Sequence, residues 1–160
     1  MKNVLAFIGW LALPLAAGVV GALSTNPGDW YDNLTKPEWT PPKFLFGPVW
    51  TTLYAMMGIA AFLVWKRRNE RPVGLALTLF VVQLVINAVW SPLFFGIHRP
   101  DYALIDIAIL WVLVVATLIA FFRVRTISGV MLIPYLIWVS YATALNFSIW
   151  QNNPAGLIIL

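Results

Sequence analysis

Phe46, Trp50 and Tyr54 recur every four residues. Gln83, Asn87 and Ser91 do the same, flanked by Trp90 and Phe94, and a third row holds Trp138, Ala142 and Leu145 or Asn146. On a helix this spacing places side chains one above another on a single face. Flat rings with amides and a small residue among them suit a flat apolar ligand: rings stack on it and a few polar groups orient it. Other chemistries lack their parts. There is no cysteine, which excludes disulfides, thiolate catalysis and Cys-ligated metals. No nucleophile with its base, metal-ligand cluster or phosphate loop is recognisable, so conventional acid-base or covalent catalysis and a metal site are not expected.

Each of these residues also has a plainer reading. Aromatic residues at the ends of apolar runs, such as Trp65 and Trp150, read as an interfacial belt. Asn87 and Gln83 read first as hydrogen-bonding glue between membrane helices and second as ligand contacts. Asp106 is costly inside an apolar run and marks a functional cavity by default, with snorkelling to the nearby interface as the alternative. His98, beside Arg99, reads as an interfacial loop residue rather than a haem ligand.

The elements that must carry these rows are membrane helices. Of 160 residues, 61% are hydrophobic and 10% charged, and the mean hydropathy is +0.85, whereas an average soluble domain is about a quarter charged. Apolar runs long enough to cross about 30 Å of hydrocarbon occupy residues 4–25, 44–65, 75–97, 102–122 and 128–150. The expected fold is an all-α membrane protein, a single domain over residues 1–160 built as a bundle of five transmembrane helices. Pro14, Pro48, Pro92 and Pro134 fall in or near the spans and predict kinks, because neighbouring helices can satisfy the freed carbonyls.

The net charge of +4 does not point to nucleic acid, because the basic residues sit at span ends rather than on one amphipathic face. With five spans, one side of the membrane carries Lys2, Lys66, Arg67, Arg68, Arg71, Arg123 and Arg125, and the other only Lys36, Lys43 and Arg99. This asymmetry predicts a multi-pass protein with a cytoplasmic N-terminus and an external C-terminus. Trp50, Tyr54, Asn87, Trp90, Asp106 and Ala142 then share the outer half of the bundle, with Trp138 near its middle.

Between the first two spans runs "WYDNLTKPEWTPPKF", residues 30–44. Its prolines and charges argue against a regular helix and for a structured loop over the outer mouth of the bundle. Pro37, Pro41 and Pro42 stiffen one limb, Gly28 and Asn33 leave the other free to hinge, and Asp32 and Lys36 are spaced for an ion pair. Tyr31 and Trp39 supply rings for a lid on the ligand pocket. In the first span, Ala17 with Gly21 and Gly18 with Ala22 allow close helix approach, serving either the bundle or a dimer.

Four blocks carry a resemblance: "WYDNLTKPEWTPP" after the first span, "GPVWTTLY" in the second, "NAVWSPLFFG" in the third and "PYLIWVSYATALNF" in the fifth. In order and spacing they resemble the TspO/MBR family of bacterial tryptophan-rich sensory proteins and the mitochondrial translocator, or peripheral-type benzodiazepine receptor. The resemblance implies a homodimeric five-helix bundle in a bacterial membrane. Its pocket under the first loop would bind porphyrins such as protoporphyrin IX, haem or related tetrapyrroles, and benzodiazepine-receptor-type drug ligands, with no required cofactor. By matching motif positions, the pocket would use Tyr31, Trp39, Trp50, Tyr54, Asn87, Trp90, Trp138, Ala142 and Leu145. Asp106 lies where some relatives have a carboxylate and others a small apolar residue.

One departure bears on the ligand. Mitochondrial members end in a sterol-recognition pattern that needs a basic residue, and none follows Arg125 here. The reversed pattern in Arg99, Tyr102 and Leu104 is of a kind that matches often by chance, so a porphyrin is expected ahead of cholesterol. The resemblance leaves three function classes: a porphyrin-binding receptor or sensor, light-dependent oxidative breakdown of the bound porphyrin with Trp50 and Trp138 as the candidate participants, and transport of tetrapyrroles or other amphiphiles. The lack of an inverted repeat and of a deep charged pair ranks transport last.

Overall fold

The computed structural model describes residues 2–25 and 28–154. Seven helical segments follow one another: α1 (Lys2–Ser24), α2 (Gly28–Asn33), α3 (Lys43–Trp65), α4 (Gly74–Ser91), a π turn (Pro92–Gly96) that continues α4, α5 (Pro100–Val124) and α6 (Thr126–Asn152). Five of these rods, counting α4 with its π turn as one, are long and apolar enough to cross a membrane. The expected all-α bundle is therefore borne out, and four of its five spans are slightly longer than the apolar runs. They extend through polar end residues because a helix in hydrocarbon satisfies its backbone internally and has no reason to stop where hydropathy falls.

The breaks between helices have local causes. Pro41 and Pro42 precede α3, and Pro42 sits at φ −56° and ψ 140°, outside the helical region. Pro92 opens the π turn, in which the Ile97 amide reaches back to the Pro92 carbonyl at 3.0 Å. Pro100, at the first position of α5, supplies a preset φ and no orphan N–H. Between α5 and α6 only Arg125 leaves the helical region, at φ −156° and ψ 115°. So sharp a reversal requires Gly129, where a Cβ would fall 2.3 Å from the Phe122 ring.

In cross-section the rods form a closed ring in the order α1, α3, α6, α5, α4 and back to α1. Lipid tails are as apolar as the side chains, so close packing must hold the ring together. Toward the end bearing Lys2 and Arg125 it is dense: Phe7 meets Phe62 edge-on at 5.1 Å, Trp10 meets Phe80 at 6.2 Å, and Phe80 stacks on Phe121 at 5.7 Å. Gly58 makes this possible, since a Cβ there would lie 2.8 Å from backbone atoms of Leu11 and Trp10. Gly18 of the small-residue run faces inward too, against the Tyr54 ring, which assigns that position to bundle packing.

The segment between α1 and α3 departs from expectation. Residues 30–33 belong to the short helix α2, whose ring-bearing face is buried. Burial of Trp30 and Tyr31 against the bundle stabilises a turn that the loop composition disfavoured. The expected Asp32–Lys36 ion pair does not form. Asp32 pairs instead with Lys43, at the start of α3, while the Lys36 ammonium donates to the carbonyls of Tyr31, Asp32 and Leu34 at 2.6, 3.1 and 3.0 Å. Three donors on one ammonium fit a helix C-terminus with its unpaired carbonyls better than they fit one exposed carboxylate.

These packing observations separate two glycines of α1 and α3. Gly58→Ala should destabilise the bundle by about 1–3 kcal/mol through overpacking. Gly9→Ala should stay within about 0.5 kcal/mol, because a Cβ at Gly9 meets nothing within 4 Å. Unfolding by sodium dodecyl sulfate in mixed micelles measures both; equal midpoints would contradict the α1–α3 contact described here.

Candidate ligand cavity

Toward the other end the ring opens around a cavity of about 570 Å³, well inside the range of about 300–1,000 Å³ usual for small-molecule sites. α3 contributes Phe46, Trp50 and Tyr54; α4 contributes Asn87, Trp90 and Ser91; α6 contributes Trp138, Val139 and Ala142. Tyr31 of α2 closes it from above, and Ile107 and Leu110 of α5 line its back. The rings are held by one another. Trp50 stacks on Tyr54 at 5.2 Å and stands perpendicular to Trp138 at 6.4 Å, and Trp138 stacks on Tyr141 at 5.8 Å.

The floor is polar and its members are hydrogen-bonded to one another. The Tyr54 hydroxyl donates to Asn87 Oδ1 at 2.6 Å, Asn87 Nδ2 donates to the Tyr135 hydroxyl at 3.2 Å, and that hydroxyl donates to Gln83 Oε1 at 2.8 Å. This run crosses from α3 through α4 to α6, and all four side chains are buried. Asn87 joins three helices, as the glue reading has it, and it also lines the cavity. Gln83 serves only as glue. Near the mouth, Trp90 Nε1 donates to Asn146 Oδ1 at 3.0 Å, and Asn146 Nδ2 donates to the Pro100 carbonyl at 2.8 Å, tying α4, α6 and the start of α5.

Of the ten residues singled out in the sequence, seven line the cavity: Tyr31, Trp50, Tyr54, Asn87, Trp90, Trp138 and Ala142. The other three lie elsewhere. Leu145 belongs to a satellite cluster with Tyr31, Leu34, Phe94, Ala103 and Ile149, which seats α2 on the π turn. Trp39 is 48% exposed and packs edge-on against Tyr141 at 5.5 Å, outside the cavity wall. Asp106 is buried, and its Oδ2 has no hydrogen-bond partner among the described residues, yet it is not part of the wall. Trp138 Nε1 is likewise buried without an acceptor among the described residues.

Sequence reasoning missed two features. The first is the wall formed by α1, where Leu15, Gly18, Val19, Gly21 and Ala22 face the cavity; the small-residue run was visible, but nothing in it distinguished a cavity wall from a helix contact. The second is Lys43, the one charged side chain among the described residues of the wall. Its ammonium lies 5.7 Å from the centre of the Tyr31 ring, and that of Lys36 lies 4.8 Å from it. Burial, reinforced by the Asp32 charge, pushes the Tyr31 phenol above its usual pKa, so it remains a neutral hydrogen-bonding group.

The segment over the mouth is fastened at three points. Trp30 stacks on His98 at 4.3 Å and also meets the edge of Phe94 at 5.7 Å; His98 sits at φ 54°. The Asn153 side chain pairs with the backbone of Thr35 in both directions, accepting from its N–H at 2.8 Å and donating to its carbonyl at 2.9 Å. The Tyr141 hydroxyl donates to the carbonyl of Trp39. The reversed sterol pattern is otherwise engaged: Arg99 forms a two-pronged ion pair with Asp101 at 2.8 and 2.6 Å and lies 3.8 Å over the Tyr102 ring.

Comparison with known proteins agrees with this architecture. The sequence model of the TspO/MBR family matches residues 10–151. The chain is 46% identical to protein CrtK of Rhodobacter capsulatus over 139 residues, covering 86% of each. It is 45% identical to the tryptophan-rich protein TspO of Chlorobaculum tepidum over 159 residues, covering 96% of this chain and 99% of that one. Identity to the translocator protein of Bos taurus is 35% over 150 residues, covering 91% of this chain and 89% of that one. With a family match over nearly its whole length and five membrane-spanning helices arranged around a tryptophan-rich cavity, this chain belongs to the TspO/MBR family of membrane proteins.

Proposed function

We propose that this protein is a membrane receptor for porphyrins, with the ring system of the ligand held between Trp50, Trp90 and Trp138 above the Asn87 floor. The observation that carries this reading is the combination, in one cavity, of large flat rings with a cation in the wall, Lys43. A porphyrin is a flat apolar ring with acidic side chains at one edge, so the indoles address the ring, and Lys43, which pairs with Asp32 through one donor of its ammonium, offers its others to a carboxylate. The polar floor orients the ligand, and the fastened segment over the mouth slows its release. A homodimer, an N-terminus in the cytoplasm and a sensory role for occupancy belong to the same proposal.

A second reading adds chemistry to binding. In light and air a bound porphyrin generates oxidising species, and the perpendicular pair Trp50 and Trp138 presents two oxidisable rings in the cavity wall. These rings are the proposed participants in a light-dependent oxidative breakdown of the ligand.

Titration with protoporphyrin IX in the dark tests the receptor reading. Trp50→Ala and Trp138→Ala, in folded and monodisperse protein, should each weaken binding by about three- to tenfold, the loss of roughly one aromatic contact. Lys43→Gln should weaken binding of the free acid but leave its dimethyl ester unaffected. Unchanged affinities in all three variants would place the ligand elsewhere.

Under illumination, Trp138→Phe should retain binding and slow the decay of the bound porphyrin spectrum. If wild type, Trp138→Phe and Trp50→Phe decay alike, the light reaction belongs to the porphyrin alone.

The fastening of the loop predicts an effect on exchange rates. Asn153→Ala removes both contacts to Thr35 and should raise the dissociation rate more than it lowers the association rate, as should Trp39→Ala through loss of the Tyr141 contact. Stopped-flow exchange of a fluorescent porphyrin resolves the two rates; unchanged release in both variants would reduce the segment to a connector.

A further inference from the structure

On the lipid-facing side of the dense end, α1 and the end of α3 border a wide-open hollow of about 350 Å³, lined by Ala6, Gly9, Trp10, Leu13 and Trp65. It is separate from the ligand cavity, with which it shares no lining residue. Its walls are apolar throughout and its floor is bare, since nothing lies within 4 Å of where a Gly9 Cβ would be. One end is charged. Lys2 falls on the same face of α1 as Ala6, Gly9 and Leu13, at spacings of four, three and four residues.

On the opposite wall, the Arg68 guanidinium lies 3.5 Å over the ring of Trp65. The helices run antiparallel, with Phe7 against Phe62 and Leu11 against Gly58. That register brings the first turn of α1 level with the residues just beyond α3, so Lys2 and Arg68 flank the same end of the hollow. Arg68 uses one donor on the Trp65 carbonyl, at 3.2 Å, and among the described residues the others of the guanidinium fork have no partner. Glu70, the nearest acid in sequence, is already paired with Arg67.

We infer that this hollow is a binding site for an anionic glycerophospholipid, with an acyl chain along Gly9 and Leu13 and the phosphate between Lys2 and Arg68. An apolar trough opening onto the bilayer favours an acyl chain over any water-soluble ligand. Cations at its interfacial end favour an acidic headgroup, as basic pockets between membrane helices do for anionic lipids. The stack on Trp65 holds Arg68 in place, so less side-chain entropy is lost on binding than for a free arginine.

The test uses full-length protein reconstituted in equimolar phosphatidylglycerol and phosphatidylcholine, with retained lipid read by native mass spectrometry. Wild type should retain phosphatidylglycerol selectively, and Lys2→Gln and Arg68→Gln should each lower that selectivity about fivefold, the effect of one cation at an anionic interface. Gly9→Leu fills the floor without touching the bundle, and should abolish retention while leaving the unfolding midpoint unchanged. Excess inorganic phosphate should not displace the lipid, because a free anion gains nothing from the trough. Retention insensitive to Gly9→Leu, displacement by phosphate, or conversion of a dimer to a monomer by Gly9→Leu would each overturn the assignment, the last by showing that a second copy of the chain fills the hollow.

Discussion

A run of hydrogen bonds from Tyr54 through Asn87 and Tyr135 to Gln83, wholly within the apolar part of the bundle, is the constraint on which the rest of this structure depends. These side chains are buried and are one another's hydrogen-bond partners, so the helices that carry them must come together in a single register. Hydrogen bonds between membrane helices contribute only about 0.6–2 kcal/mol each. Their leverage lies in the alternative: a partner removed leaves a buried group unsatisfied at a cost of about 1–3 kcal/mol. The run therefore specifies where α3, α4 and α6 meet more than it strengthens their meeting.

Its position divides the bundle into two regions of different character. On one side Gly58 and the Phe7, Phe62, Phe80 and Phe121 rings give a dense, dry contact. On the other the aromatic side chains support one another around open space. Gly18 lets α1 approach the Tyr54 ring, and that ring carries the first hydroxyl of the run. Close helix approach and the polar floor are thus parts of one local arrangement. Above it, α2 and the residue after it reach the bundle through Trp30, Tyr31 and Leu34, and Asn153 and Tyr141 of the last helix and its end hold the remainder of the segment.

Much of this was legible in the sequence, for identifiable reasons. Hydrocarbon thickness fixes helix length and hence depth, and four-residue spacing fixes a face, so together they locate Trp50, Tyr54, Asn87, Trp138 and Ala142 nearly in three dimensions. Where a second body covers that face, the argument fails. Leu145 continues the row of Trp138 and Ala142, but at its depth the face meets the cluster beneath α2. Asp106 precedes the wall residue Ile107 by one position, a rotation of about 100°, which suffices to take it out of the cavity. Trp39 depended on contacts with residues more than a hundred positions away, which no local pattern encodes. The short helix α2 was hidden for the same reason, since its stability comes from what it covers.

The central claim is that a flat ligand occupies the space bounded by these rings and the Asn87 floor. An anomalous difference map from crystals grown with zinc protoporphyrin, recorded at the zinc edge, locates the centre of the ring system without reference to affinity or kinetics. The account predicts a zinc peak inside the cavity, between Trp50, Trp90 and Trp138 and beneath Tyr31. A peak only on the lipid-facing surface, with the cavity unoccupied at saturating ligand, would contradict it.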